Sequence, residues 1–236
     1  MKKIFLTSLA AVMSVSAASA MELTPYVAVR GGYDHAMMNT DKLTIVEDGE
    51  TYTETMGNPM GSGFMLGAAA GVSMNVHKYF NVRGELEYSY ANRSLEQKYT
   101  EIDGYYDEDA DEFVEEEYSG KDKYDQDAHT LMLNAYVDFK TGTPFTPYVG
   151  AGLGYSWNNL TAKDEDGDLK FDDGAFAWQV GAGVSYAATS ALSIDLGYRF
   201  TDAMGLKYSK TVEDGKIEVE NDTYAHQVYL GARYAF

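Results

Sequence analysis

Hydrophobic and polar residues alternate with a period of two through eight segments of the chain, which is the pattern of a half-buried β-strand. In the first segment, Val27 and Val29 fall on one face, and Ala28 and Arg30 fall on the other. The eight segments cover residues 26–33, 64–74, 82–90, 130–139, 148–157, 176–186, 193–200 and 227–236. The pattern predicts an all-β protein of eight antiparallel strands that closes as an up-and-down barrel.

The composition of the two faces predicts that this barrel spans a membrane. One face is apolar and carries aromatic residues near both ends, as the interfacial girdles of a transmembrane barrel do. The aromatic residues at one end are Tyr33, Tyr90, Trp157, Trp178 and Phe200, and those at the other are Phe139, Tyr186, Tyr234 and Phe236. The second face mixes glycine, serine and bulky charged residues, which suit a narrow lumen better than the solvent-exposed outer surface of a soluble barrel. We therefore expect apolar side chains to face lipid and polar side chains to face inward.

The first twenty residues have the features of a secretory signal peptide. Lys2 and Lys3 precede a short apolar stretch, and the segment ends in Ala18-Ser19-Ala20. A charged start, an apolar middle and an A-x-A ending mark a cleaved leader. The sequence predicts a signal peptide over 1–20 and a single barrel domain over 21–236.

The connections between segments fall into two classes, which predict the orientation of the barrel. Residues 75–79, 140–144 and 188–191 are short, whereas residues 35–60, 92–127, 158–174 and 203–222 are long. Short periplasmic turns and long external loops are typical of outer-membrane barrels. Each long connection contains one Asp-Gly dipeptide, which favours a tight hairpin turn: Asp48-Gly49, Asp103-Gly104, Asp166-Gly167 and Asp214-Gly215. Residues 44–53 and 208–219 alternate around such turns, so we expect the loops to continue the strands as four long external hairpins.

Charge and composition exclude several classes of function. The chain has 18 basic and 37 acidic residues, a net charge of −19, which disfavours nucleic acid as a partner. The four long connections hold 30 of the 37 acidic residues, so they also explain the negative mean hydropathy of −0.34. Cysteine is absent, which excludes disulfide scaffolds, Cys-ligated zinc and thiol nucleophiles.

The inward face carries four basic and four acidic residues, which we expect to pair in the lumen because unpaired buried charge is costly. They are Arg30, Arg83, Glu85, Glu87, Asp138, Asp195, Arg199 and Arg233. An eight-stranded barrel is just wide enough for side chains to fill it. The sequence therefore predicts a structural plug made of ion pairs, and a narrow ion path is the alternative.

Neither a metal site, a cofactor site nor a catalytic set is predicted. The stretch from Asp164 to Asp173 begins like an EF-hand loop, but Leu169 replaces the required glycine and Ala175 stands where the bidentate glutamate belongs. Loose binding of divalent cations by this acidic loop stays open. His129 lies near Asp127 in the sequence, yet no serine and histidine set accompanies it.

Four segments of the chain carry a pattern that is shared with known proteins: Tyr26 to Tyr33, Arg83 to Tyr88, Pro147 to Tyr155, and the final Tyr234-Ala235-Phe236. They resemble the opacity-protein and OmpX-like family of outer-membrane β-barrels. The resemblance implies a barrel in a Gram-negative outer membrane, with adhesion and contact with host surfaces as the commonest associated role. It also implies that the barrel-assembly machinery reads the C-terminal strand, here through Tyr234 and Phe236.

Together these observations predict a non-enzymatic surface barrel in the bacterial outer membrane, with a structural role, an adhesive role or both. The expected partners are outer-membrane lipid, the barrel-assembly machinery, and a host or environmental ligand that contacts the acidic external loops. The alternative is a narrow porin-like channel for small solutes.

Overall fold

The structure, a computed structural model, describes residues 23–47, 50–54, 57–107, 112–163, 168–212 and 215–236. The segment 1–20 lies outside these residues, so the cleaved signal peptide stays a prediction. No helix in the described part of the chain is long and apolar enough to cross a membrane.

The described residues form an antiparallel β-sheet that closes on itself. Its strands are β1 (Leu23–Glu47), β2 (Glu50–Glu54), β3 (Met60–His77), β4 (Phe80–Asp107), β5 (Glu112–Phe139), β6 (Phe145–Lys163), β7 (Leu169–Ala187), β8 (Leu192–Val212) and β9 (Gly215–Ala235). From β3 to β9 each strand pairs with the next along the chain, and β1 pairs with both β3 and β9. The short β2 pairs with the end of β1. The prediction of an eight-stranded up-and-down barrel is confirmed.

Alternating side chains point outward and inward as the sequence pattern predicts. On β5, Leu133 is 68% exposed while the next residue, Asn134, is 2% exposed. Val29 and Arg30 differ in the same way on β1. On β4 the outer face is apolar over 11 residues, from Phe80 to Tyr90, which matches the length of a tilted transmembrane strand. The apolar face therefore lies outside and the charged face lies in the lumen.

The short and long connections lie at opposite ends of the barrel. The turns at 78–79, 140–144 and 188–191 join β3 to β4, β5 to β6, and β7 to β8. At the other end β4 and β5 stay paired from Phe80 and Phe139 to Asp107 and Glu112. The long connections thus continue the strands as hairpins, as predicted. Thr44 faces Thr53 across one of them, and Tyr208 faces Val219 across another.

The predicted position of the Asp103-Gly104 turn is wrong. Both residues lie inside β4, where Asp103 pairs with Glu116 and Gly104 with Glu115. The register of a long strand pair decides where the hairpin ends, and it outweighs the turn preference of one dipeptide. Gly215 is likewise the first residue of β9, paired with Val212. Asp48-Gly49, Asp166-Gly167 and Asp214 lie outside the described residues.

A β-bulge changes the inward-facing residues of β8 where this strand leaves the membrane-spanning part. The pairing of β8 with β9 shifts between Ala203 and Leu206, and Gly205 has a φ of 70°. Before the bulge Arg199 and Ala203 are buried, and after it Leu206 and Tyr208 are buried. Because an extra residue reverses the alternation, the bulge turns Leu206 and Tyr208 into the interior.

Candidate functional site

The lumen nearest the short turns holds two ion pairs surrounded by tyrosines. Arg83 Nε lies 2.7 Å from a carboxylate oxygen of Asp138, and Arg233 lies 3.4 Å from Asp195. The Arg83 guanidinium is also 4.6 Å from the centre of the Tyr136 ring. Hydrogen bonds between oppositely charged groups are strong, and an aromatic face adds a further favourable contact for the cation.

A network of two arginines, two glutamates and an asparagine occupies the middle of the lumen. Arg30 lies 2.8 Å from Glu85 and 2.9 Å from Glu87. Arg199 lies 2.7 Å from the other carboxylate oxygen of Glu87. Asn134 donates hydrogen bonds to both carboxylates. Each carboxylate therefore has several donors, which is the arrangement that makes buried charge tolerable.

A third level of the network includes a pair that the sequence analysis did not identify. Arg93 Nε lies 2.6 Å from Asp34 Oδ1, and both side chains are buried. Gln227 donates to Asp34 and accepts from Arg199, which links this pair to the middle level. Continuing the alternation of β4 from Arg83 through Glu87 to Arg93 would have placed Arg93 inward. The polar composition of 92–127 instead predicts that residue 93 lies in an external loop.

All eight residues that the sequence placed in the lumen line it in the structure, and the structure pairs each basic one with an acidic one. The space left between them is small. One space of about 20 Å³ lies beside Arg93, Asn158 and Arg199, and one of about 10 Å³ lies beside Tyr136 and Gly181. A single water needs about 10–15 Å³ of such volume, so each of these spaces is of the size of one water.

Glycines on the inward face make room for the large side chains that fill the lumen. A Cβ atom added to Gly150 would overlap the Tyr136 ring, and one added to Gly197 would overlap the Tyr229 ring. Gly84 faces outward, and a Cβ atom there would meet no atom within 4 Å. The glycines of the lumen thus allow the tyrosines to lie flat against the wall.

The external hairpins carry charge that is mostly exposed. Lys121 on β5 and Glu96 on β4 form a diagonal ion pair at 3.6 Å, with about half of each side chain exposed. Lys163 lies 2.9 Å from Asp168. Exposed pairs of this kind contribute about 0–1 kcal/mol. These ion pairs therefore do little to hold the hairpins together.

The structure brings together no catalytic dyad at His129. Its Nδ1 lies 2.7 Å from the Tyr88 hydroxyl, while Asp127 accepts hydrogen bonds from Tyr90 and Asn92. The acidic stretch 164–168 lies outside the described residues except for Asp168. Among the described residues, no three His, Asp or Glu side chains are grouped as metal ligands.

The C-terminal residues lie on the outer face of the barrel. Tyr234 and Phe236 are both exposed, and their ring centres are 5.4 Å apart. The Phe236 backbone nitrogen donates to Pro25 O at 3.1 Å. The last residue is therefore fixed next to β1, at the end of the barrel that carries the short turns.

Comparison with known proteins identifies the group to which this barrel belongs. The profile of the outer membrane protein β-barrel domain family matches residues 5–236. The chain belongs to this family. As an outer membrane protein, it has the location that the sequence predicted, and its lipid environment follows from that location.

Individual relatives agree with the family assignment. Outer membrane protein PagN of Salmonella typhimurium is 33% identical over 117 residues, which are 45% of this chain and 49% of that protein. An uncharacterized Brucella abortus protein is 32% identical over 151 residues, 52% of each chain. The chain thus spans about half the length of the curated relatives it matches.

Two solved barrels show the same fold. Neisserial surface protein A aligns with a TM-score of 0.51 at 19% identity, over 92% of this chain and 100% of that one. Outer membrane protein OprG from Pseudomonas aeruginosa aligns with a TM-score of 0.50 at 16% identity, over 89% and 96%. At these identities the likeness concerns the fold alone.

Proposed function

We propose that this outer-membrane barrel is a non-enzymatic surface protein that contacts host or environmental ligands through its acidic hairpins. The observation that carries the proposal is the length of the β4–β5 hairpin. From Asn92 to Asp107 the strand runs about 50 Å, at roughly 3.3 Å per residue. Residues 92–127 contain 14 acidic and 4 basic residues. A paired, charged projection of this size suits contact with a cationic or polar partner outside the cell.

The same proposal gives the lumen a structural role. Three levels of ion pairs cross it, and the spaces between them are of the size of single waters. These features favour a plug over the narrow porin-like channel. They support a barrel that stiffens the outer membrane and holds the hairpins in place.

Truncating the hairpin tests the adhesive role. Gln97 and Asp122 are register partners, so replacing residues 98–121 by Asn-Gly closes the strands with a two-residue turn. We expect bacteria that display this variant to lose adherence to a cultured epithelial layer. The matched control replaces residues 209–218 by Asn-Gly on the pair Tyr208 and Val219, and should keep adherence at equal surface abundance.

A further variant separates charge from length. Changing Glu115, Glu116 and Glu117 to Gln keeps the hairpin but removes three negative charges, and we expect it to weaken adherence. If the truncated protein adheres as well as the unmutated one, the hairpin is not the contact surface and the proposal fails.

Conductance measurements test the plug. In planar bilayers we expect the unmutated protein to show no sustained open-channel current. Arg83→Ser with Arg199→Ser removes two lumen cations and should raise the leak current. Lys121→Ser with Lys163→Ser removes two exposed cations and should not. Steady channels from the unmutated protein would favour the porin-like alternative.

We further propose that Tyr234 and Phe236 form the signal that the barrel-assembly machinery reads. Deleting Phe236 should lower the folded fraction in cells, whereas the purified protein should still refold in liposomes. The control is Phe145→Ala, which removes an exposed aromatic residue at the same end of the barrel. It measures how much of the defect comes from losing any aromatic residue of the girdle. Equal assembly defects in the two variants would contradict a specific signal.

A further inference from the structure

The barrel interior changes from charged to apolar above the level of Arg93. Leu95, Leu206 and Tyr208 are fully buried there and belong to one cluster with Leu160 and Phe171. This part of the barrel lies beyond the external aromatic girdle, where water surrounds the strands. An apolar interior is therefore what holds the external hairpins together.

This apolar interior is not completely filled. A cavity of about 150 Å³ lies between Met38, Leu160, Leu169, Phe171, Tyr208 and Val219. The other lining residues that bear a polar group are Thr40 and Tyr124, and no charged side chain is among the described residues that line the cavity. Protein interiors are normally packed with few voids larger than a water molecule. A cavity of this size is therefore a candidate binding site.

A polar network closes the floor of the cavity. The Tyr208 hydroxyl accepts a hydrogen bond from Gln126 at 3.4 Å. Gln126 in turn accepts from Arg93 at 3.0 Å, and Arg93 pairs with Asp34. The space beneath this network has a volume of about 20 Å³. A molecule that enters from outside would therefore stop at the network, so the cavity is a pocket and not the mouth of a pore.

The described residues that line the cavity are uncharged, whereas the long connections at this end of the barrel are acidic. Burial, with a smaller effect of Asp122, raises the pKa of Tyr124 to about 12. Burial also raises the pKa of Tyr208 to about 12, so both hydroxyls stay protonated near neutral pH. The external connections together contain 30 acidic and 10 basic residues. Such a surface repels anions, and no carboxylate that would pair with a cation is among the described residues of the walls.

We propose that this cavity binds a small uncharged apolar molecule with a single aromatic ring. An apolar cavity of about 150 Å³ stays dry and accommodates benzene, which sets the size of the ligand. The Phe171 and Tyr208 rings, 6.3 Å apart and inclined by 62°, provide aromatic edges and faces against which such a ring packs.

Fluorobenzene is a suitable probe, followed by ¹⁹F NMR on the full chain in lipid nanodiscs, with empty nanodiscs measuring partition into lipid. Ala162 lines the cavity, and Ala162→Phe should fill it and weaken saturable binding by at least about tenfold. The matched control is Ala151→Phe, which adds the same ring to the exposed face of the same strand. We expect it to bind like the unmutated protein.

A second variant keeps the proposal testable if Ala162→Phe does not fold. Leu160→Ala enlarges the cavity, and we expect it to bind 1-fluoronaphthalene, which the unmutated protein should bind far more weakly. Two results would overturn the proposal. One is a fluorobenzene signal no greater than that of empty nanodiscs, and the other is equal binding by the Ala162→Phe and Ala151→Phe variants.

Discussion

The substitution Glu87→Gln should destabilise the barrel more than any exposed charge change. Glu87 is 0% exposed, and its carboxylate lies 2.9 Å from Arg30 and 2.7 Å from Arg199. The amide keeps the shape of the side chain but leaves these two buried guanidinium groups with one fewer negative partner. Removing one member of a buried ion pair costs about 3–5 kcal/mol, so we expect a loss of this size in the free energy of unfolding.

Urea unfolding in liposomes, followed by tryptophan fluorescence, measures this loss. Glu96→Gln is the matched control, because it makes the same change on the same strand at an exposed pair with Lys121 and should cost about 0–1 kcal/mol. Adding Arg199→Met to Glu87→Gln removes one charge of each sign and should cost less than the two single changes together. If Glu87→Gln costs no more than Glu96→Gln, the lumen pairs do not stabilise the fold.

Three further predictions concern the wall, the packing of the lumen and the N-terminus. Leu133→Arg places a charge on the lipid face and should cost about 2–4 kcal/mol in the same titration, whereas Leu133→Ala should cost less; equal costs would contradict the inside–outside assignment. Gly150→Val should lower the free energy of unfolding by about 1–3 kcal/mol because it crowds Tyr136. Gly84→Val on the open outer face is the control and should be nearly neutral. Similar effects of the two variants would mean that space in the lumen is not limiting. Mass spectrometry of the protein from outer membranes should give a chain that begins at Met21, and an intact Met1 would refute the predicted cleavage.

The membrane-spanning part of this fold could be predicted from sequence because burial repeats every second residue. Lipid on one side and a charged lumen on the other impose the same alternation on every strand. Arg30, Glu85 and Arg199 were therefore placed inward from the pattern alone. Their partners could not be predicted, because pairing across the lumen depends on the stagger of strands that lie far apart in sequence.

Prediction was weaker where the strands leave the membrane. The Gly205 bulge reverses the alternation of β8, so counting from Arg199 would have placed Leu206 outward. The turn preference of Asp103-Gly104 was also misleading, since local preference is weak beside a long paired register. The pair of Arg93 with Asp34 does not follow from the sequence, because the polar, acidic composition of residues 92–127 is typical of a loop.

The continuous register of β4 and β5 restricts how the external hairpin can change in length. One residue added to a single strand would turn every later side chain of that strand to the opposite face. Two residues added to each strand would preserve all faces and lengthen the projection by about 7 Å. Insertions and deletions in steps of four residues are therefore the changes that this hairpin tolerates best. The length of the β4–β5 hairpin beyond the cell surface can therefore differ between sequence variants of the barrel, while the ion pairs and the apolar interior below it stay the same.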